Sequence, residues 1–158
     1  MVNVIDKNLV VLDLDAKSKE EVFNRLADIL DKDGRLNDKE EYIENVKARE
    51  ATATTGIGFG IAIPHGKTDA VKDVSVIIGR LKQPVDWNSM DGKPVKMIFQ
   101  IAVPESSKGD DHLRLLSELS RKLIHEEFRE AMFQANSVNE VLNLLGNSLE
   151  KKETVEDF

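Results

Sequence analysis

Short aliphatic runs alternating with helix-patterned segments constrain this chain more than any other feature. Residues 9–14 (LVVLDL), 74–81 (VSVIIGRL) and 96–103 (KMIFQIAV) are rich in β-branched and aliphatic side chains and read as strands. The segments around them carry apolar residues at helical spacing instead. Ser18 opens the first, with Glu21 placed to complete a capping box, then Val22, Leu26, Ile29 and Leu30 as its stripe and Gly34 as its stop. A second helix is expected from residue 38 to about 50, with Tyr42, Ile43 and Val46 inward.

The last third is expected to be helical. Residues 112–124 set Leu116, Leu119 and Leu123 on one face, and residues 127–135 add Phe128, Met132 and Phe133. Ser137 is a second cap, with Glu140 three residues on, before Val141, Leu142, Leu144 and Leu145. Strands alternating with helices over 158 residues predict one α/β domain built round a central sheet, over residues 1–146. Residues 147–158 read as a charged, frayed tail.

Composition excludes several functions. The formal net charge of −7 disfavours nucleic acid, whose phosphates attract Lys and Arg, and suits a basic protein partner better. No cysteine is present, so the chain holds no disulfide, thiolate nucleophile or zinc finger, which fits a cytoplasmic protein. Neither a signal-peptide pattern nor an apolar run long enough to span a membrane is visible.

Chemistry gathers between the second helix and the second long strand. Thr and Gly dominate residues 51–60, which read as a loop. Residues 61–63 form a short buried strand that Pro64 ends, because proline cannot donate to a sheet ladder. His65 follows, with Gly66 leaving its imidazole uncrowded, so an exposed histidine at a strand end is expected. His112 lies near the start of the long helix, on the face of Leu116, Leu119 and Leu123, and reads either as a satisfied, half-buried histidine or as a group beside backbone N–H donors that favour an anion. His125 falls off that stripe near the helix end and reads as solvent-facing. Residues 84–94 read as a polar connection carrying Trp87.

Look-alike motifs fail on spacing. Gly60 and Gly66-Lys67-Thr68 have five residues between the glycines where a P-loop needs four, and the intervening run is apolar. Gly56, Gly58 and Gly60 precede a strand, which a dinucleotide fingerprint does not. Scattered histidines without ligand spacing predict no metal, and no cofactor is expected.

Residues 54–68, TTGIGFGIAIPHGKT, resemble the active-site region of fructose/mannitol-type enzyme IIA domains of the bacterial sugar phosphotransferase system. Arg49-Glu50, residues 100–105 (QIAVPE) and the pattern from His112 to Arg121 are similar as well, so the resemblance runs from about residue 3 to 146. It implies a mixed sheet flanked by helices. It also implies a phosphocarrier: phosphohistidine on the carrier HPr donates to His65, which donates to a cysteine of a IIB component on another chain. Carried over to this sequence, His65 is the phosphoryl acceptor, His112 its support and Arg49 a partner for phosphate oxygens. Thr54 and Thr55 are candidate hydroxyl donors to phosphate. No magnesium is required, since no nucleotide polyphosphate takes part. Nitrogen-related regulatory paralogues carry a similar Ile-Pro-His-Gly segment, and a regulatory role is the alternative. Phe59 and Pro104-Glu105 look more like the sugar-transport branch.

Overall fold

A computed structural model describes residues 3–106 and 111–150. After a 3-10 turn at Lys7–Leu9, the chain runs β1 (Val10–Leu14), α1 (Lys19–Lys32), α2 (Lys39–Thr52), β2 (Gly56–Gly58), β3 (Ile61–Ala62) and β4 (His65–Lys67). It continues as β5 (Ser75–Val85), β6 (Val95–Val103), α3 (Asp111–Leu123), α4 (Glu126–Gln134) and α5 (Val138–Leu145). The helix starts expected from the caps Ser18 and Ser137, and the one expected at residue 38, are in place. Ser18, Asp38 and Ser137 each accept a hydrogen bond from the backbone N–H three residues on, an interaction that contributes about 1 kcal/mol.

The six strands form one mixed sheet in the order β1-β5-β6-β3-β2, with β4 also on β6. β1 is parallel to β5 and β5 antiparallel to β6, while β3 and β4 both run parallel to β6. β6 is the spine of the sheet. Every one of its residues except Lys96 is buried, as its near-continuous apolar sequence requires of a central strand.

Pro64 bounds its strand as expected: β3 stops at Ala62, and β4 is a separate strand beyond the proline. Pro64 has no N–H to give, but its carbonyl accepts from Ile101 N at 2.9 Å, so pairing with β6 resumes at His65. Two expectations need correction. β5 runs further than expected, through Pro84 to Val85. The β5–β6 register shifts between Arg80 and Val85, and an irregular exposed stretch tolerates a proline that a regular ladder would not. Residues 56–58, read as loop, pair with β3 as β2.

The packed body extends past residue 146. Leu149 is buried, and Glu150 Oε1 accepts from Val4 N at 2.9 Å. Residues 151–158 of the expected tail lie outside the described residues. Trp87, within the connection read as polar, is fully buried and meets Phe23 edge-on at 5.8 Å. In α3 the buried stripe is Leu115, Leu119 and Leu123; Leu116, expected inward, is half-buried. Among the described residues no helix is long and apolar enough to cross a membrane.

Candidate functional site

Gly66 explains how the site is oriented. A Cβ there would lie 3.0 Å from Asn45 Oδ1, 3.0 Å from Val46 Cγ2 and 3.1 Å from Tyr42 Cε1, so α2 packs directly on the backbone of β4. Side chains alternate along a strand, which turns His65 and Lys67 to the opposite face. There the first turn of α3 supplies His112. The two imidazole rings stand 4.7 Å apart, centroid to centroid, tilted by 44°.

His65 is 8% exposed, so the sequence reading of an exposed strand end is corrected: the residue is the first of β4 and is mostly covered. Its Nδ1 lies 3.0 Å from the Ile63 carbonyl oxygen. A carbonyl only accepts, so the hydrogen sits on Nδ1 and Nε2 carries the free lone pair. Burial pushes the imidazole below the ordinary histidine range. The nearby His112 and Arg49 push the same way, while the Ile63 carbonyl and the Glu50 carboxylate oppose. Near neutral pH the ring is therefore an uncharged nucleophile.

His112 is half-buried and also held below the usual range, first by burial and then by the charges of Lys67 and Arg49. Its Nε2 is buried and has no hydrogen-bond partner among the described residues. Ser89 Oγ, Gln100 Oε1 and Arg114 Nε are in the same state among the described residues, and of the four only His112 Nε2 belongs to the ring pair.

Arg49 stands in the last turn of α2, where its Nη1 donates to Ala53 O at 2.9 Å and Thr52 Oγ1 at 3.3 Å. Among the described residues neither Arg49 nor Lys67 makes a salt bridge. The site is thus locally basic on an acidic chain. Lys67 was not singled out from the sequence, although its place two residues after a candidate histidine in a strand was the signal available.

The two threonines are placed differently from the sequence reading. Thr54 Oγ1 donates to Trp87 O at 2.8 Å, and Thr55 Oγ1 donates to Glu50 Oε1 at 2.6 Å. Each hydroxyl has one proton, and in both it is committed within the fold rather than to an external anion. His125 is exposed, as expected, at the cap of α4 without a side-chain capping bond. Among the described residues no three His, Cys, Asp or Glu side chains cluster as a metal site would need.

These features define an α/β protein with a two-histidine site on its sheet. The family model described as "Phosphoenolpyruvate-dependent sugar phosphotransferase system, EIIA 2" matches residues 3–148, and the chain belongs to that family. It is 41% identical over 142 residues to the fructose-specific EIIA component of the phosphotransferase system of Haloferax volcanii, covering 90% of this chain and 92% of that protein. It is 39% identical to the fructose-specific EIIABC component of Bacillus subtilis, of whose length it spans 22%. Among solved structures, the nitrogen regulatory protein IIA-Ntr of Neisseria meningitidis matches with a TM-score of 0.83 and 34% identity, covering 90% of this chain and 97% of that one. The mannitol IIA of Escherichia coli matches at 0.76 and 26%, covering 90% and 99%.

Proposed function

We propose that this protein is a phosphocarrier that accepts a phosphoryl group on His65 Nε2 from phospho-HPr and passes it to a cysteine of a IIB component. The observation that carries the reading is the Nδ1 hydrogen bond to Ile63, which leaves Nε2 as the nucleophilic atom beside His112. In the first step the Nε2 lone pair forms an N–P bond as the donor's N–P bond breaks and the donor imidazole departs. In the second a thiolate forms an S–P bond as the His65 N–P bond breaks. Such transfer needs positioning and charge stabilisation more than covalent assistance. Arg49 and Lys67 supply positive charge for the phosphoryl oxygens, and His112 Nε2 supplies a hydrogen-bonding atom. Thr54 and Thr55 brace the loop beneath instead of contacting phosphate.

Fructose-type sugar uptake is the pathway we favour, supported by similarity to the Haloferax volcanii protein over nearly its full length. Partnership with a IIB component is supported by likeness to the mannitol IIA of an Escherichia coli complex with phosphorylated IIB, at 25% identity and a TM-score of 0.76. A cytoplasmic location follows from that chemistry. The match to IIA-Ntr supports a second reading, control of other proteins through phosphorylation state.

The test is to incubate the protein with enzyme I, HPr and phosphoenolpyruvate and to map the phosphate under alkaline conditions. Phosphate on His65, and none on His65→Ala, is expected; phosphate persisting on the variant would overturn the assignment. Loss of phosphate to a IIB domain but not to its cysteine-to-serine form separates the transport reading from the regulatory one.

A further inference from the structure

We propose that Glu50 is a positioning residue for His65: acting through Thr55 and Ile63, its carboxylate fixes the tautomer and orientation of the acceptor imidazole. The inference rests on the reading of His65 as acceptor.

The connection is continuous and each bond has one direction. Glu50 closes the last full turn of α2, with its side chain 7% exposed. Its Oε2 accepts from Thr55 N at 2.8 Å and from Lys19 Nζ at 3.0 Å, and its Oε1 accepts from the Thr55 hydroxyl at 2.6 Å. The Trp87 indole N–H donates to Thr55 Oγ1 at 3.2 Å, so that oxygen is already an acceptor and its own proton has to point at Glu50. Thr55 is therefore gripped at both its N–H and its side chain. Its carbonyl in turn accepts from Ile63 N at 3.0 Å, and the Ile63 carbonyl accepts from His65 Nδ1 at 3.0 Å. The Glu50 side chain thus accepts from three donors at once. Lys19, itself held 5.5 Å over the Trp87 ring, supplies the balancing charge inside the same cluster.

A merely structural carboxylate would brace the loop at residues 53–55 and leave the imidazole's proton free to choose a nitrogen. This one lies two hydrogen bonds, only the second of them between backbone groups, from the residue whose carbonyl makes that choice. Its negative charge also acts on His65 directly, opposing the downward push of burial.

Glu50→Gln presents one acceptor oxygen and two N–H groups to three donors, so Thr55 loses its hold and the Ile63 carbonyl its position. The 15N spectrum of the His65 ring, recorded on unphosphorylated protein, should change from the Nδ1–H form to a mixture of tautomers. The His65 pKa should fall, because the opposing charge is gone. Phosphoryl acceptance from phospho-HPr should slow by about tenfold, the lower end of what removing a histidine's outer hydrogen-bond partner costs at metal sites. Thr55→Val keeps the shape of the loop and the Glu50 charge but removes the hydroxyl. It should produce a smaller tautomer mixture with little change in the His65 pKa, and it decides the matter if Glu50→Gln does not fold. A pure Nδ1–H tautomer and wild-type acceptance in folded Glu50→Gln, or a pure Nδ1–H tautomer in Thr55→Val when Glu50→Gln is unfolded, would overturn the proposal. Wild-type protein that takes no phosphate from phospho-HPr would refute the phosphocarrier reading alone, since the ring spectrum reads the Glu50 connection without phosphate.

Discussion

The imidazole rings of His65 and His112 stand 4.7 Å apart although 46 residues separate them along the chain. One comes from a strand that starts just after a proline, the other from the first turn of a helix. At this distance a proton on one ring discourages a proton on the other, and both rings are already kept neutral by burial. Near neutral pH the pair is therefore uncharged.

Acidification should destabilise the fold through this pair. Both folded-state pKa values lie below the ordinary histidine value of 6.5. The unfolded chain then binds more protons between those values, so stability is fully present above about 6.5 and is lost as pH falls through the folded pKa values. Urea denaturation between about pH 7.5 and 5.5 should show this slope. A variant with both histidines changed to glutamine should show a shallower one; an equal slope would place the effect elsewhere.

His112→Ala should slow phosphoryl transfer in both directions while leaving His65 as the acceptor. Losing one organised donor at a transition state costs about 2.7–4 kcal/mol, which corresponds to roughly a hundredfold or more in rate. His112 reaches the site with an unpartnered Nε2, so this is the upper range of the effect. Rapid-quench kinetics giving wild-type rates would show that the ring only fills space.

Arg49→Gln should raise the pKa of both histidines at once, because its charge depresses each of them. Titration of the two rings by NMR reads this directly. On the proposed role of Arg49 in stabilising phosphoryl charge, the same variant should accept phosphate more slowly. A rise at only one ring would mean that the Arg49 charge does not reach both of them in solution.

Gly66→Ala should cost about 1–3 kcal/mol, the usual range for overpacking. The new methyl meets three atoms of α2 at 3.0–3.1 Å, on three different side chains, so no single rotamer change relieves it. Chemical denaturation measures the loss. Because β4 would be pushed away from α2, the His65–His112 spacing should change too, and transfer should slow beyond what stability alone explains.

Local chemistry was legible in the sequence wherever a residue acts on its near neighbours. Ser18, Asp38 and Ser137 cap because their oxygens reach an N–H three residues on. Periodicity placed α1, and the aliphatic runs placed β1, β5 and β6 to within a few residues. The string around His65 pointed to the residue we propose as acceptor. What the sequence could not carry was decided by contacts distant along the chain. β6 offers a pairing edge to β4, so a new strand starts beyond Pro64 and His65 becomes covered instead of exposed. The commitment of the Thr54 and Thr55 protons depends on Trp87 and Glu50, which approach only when α2 and the β5–β6 connection pack together. Lys67 joins the site because α2 takes the Gly66 face of β4 and leaves the other face to α3. A one-dimensional pattern specifies which face a side chain takes relative to its own element; which element then covers that face is settled by packing in three dimensions.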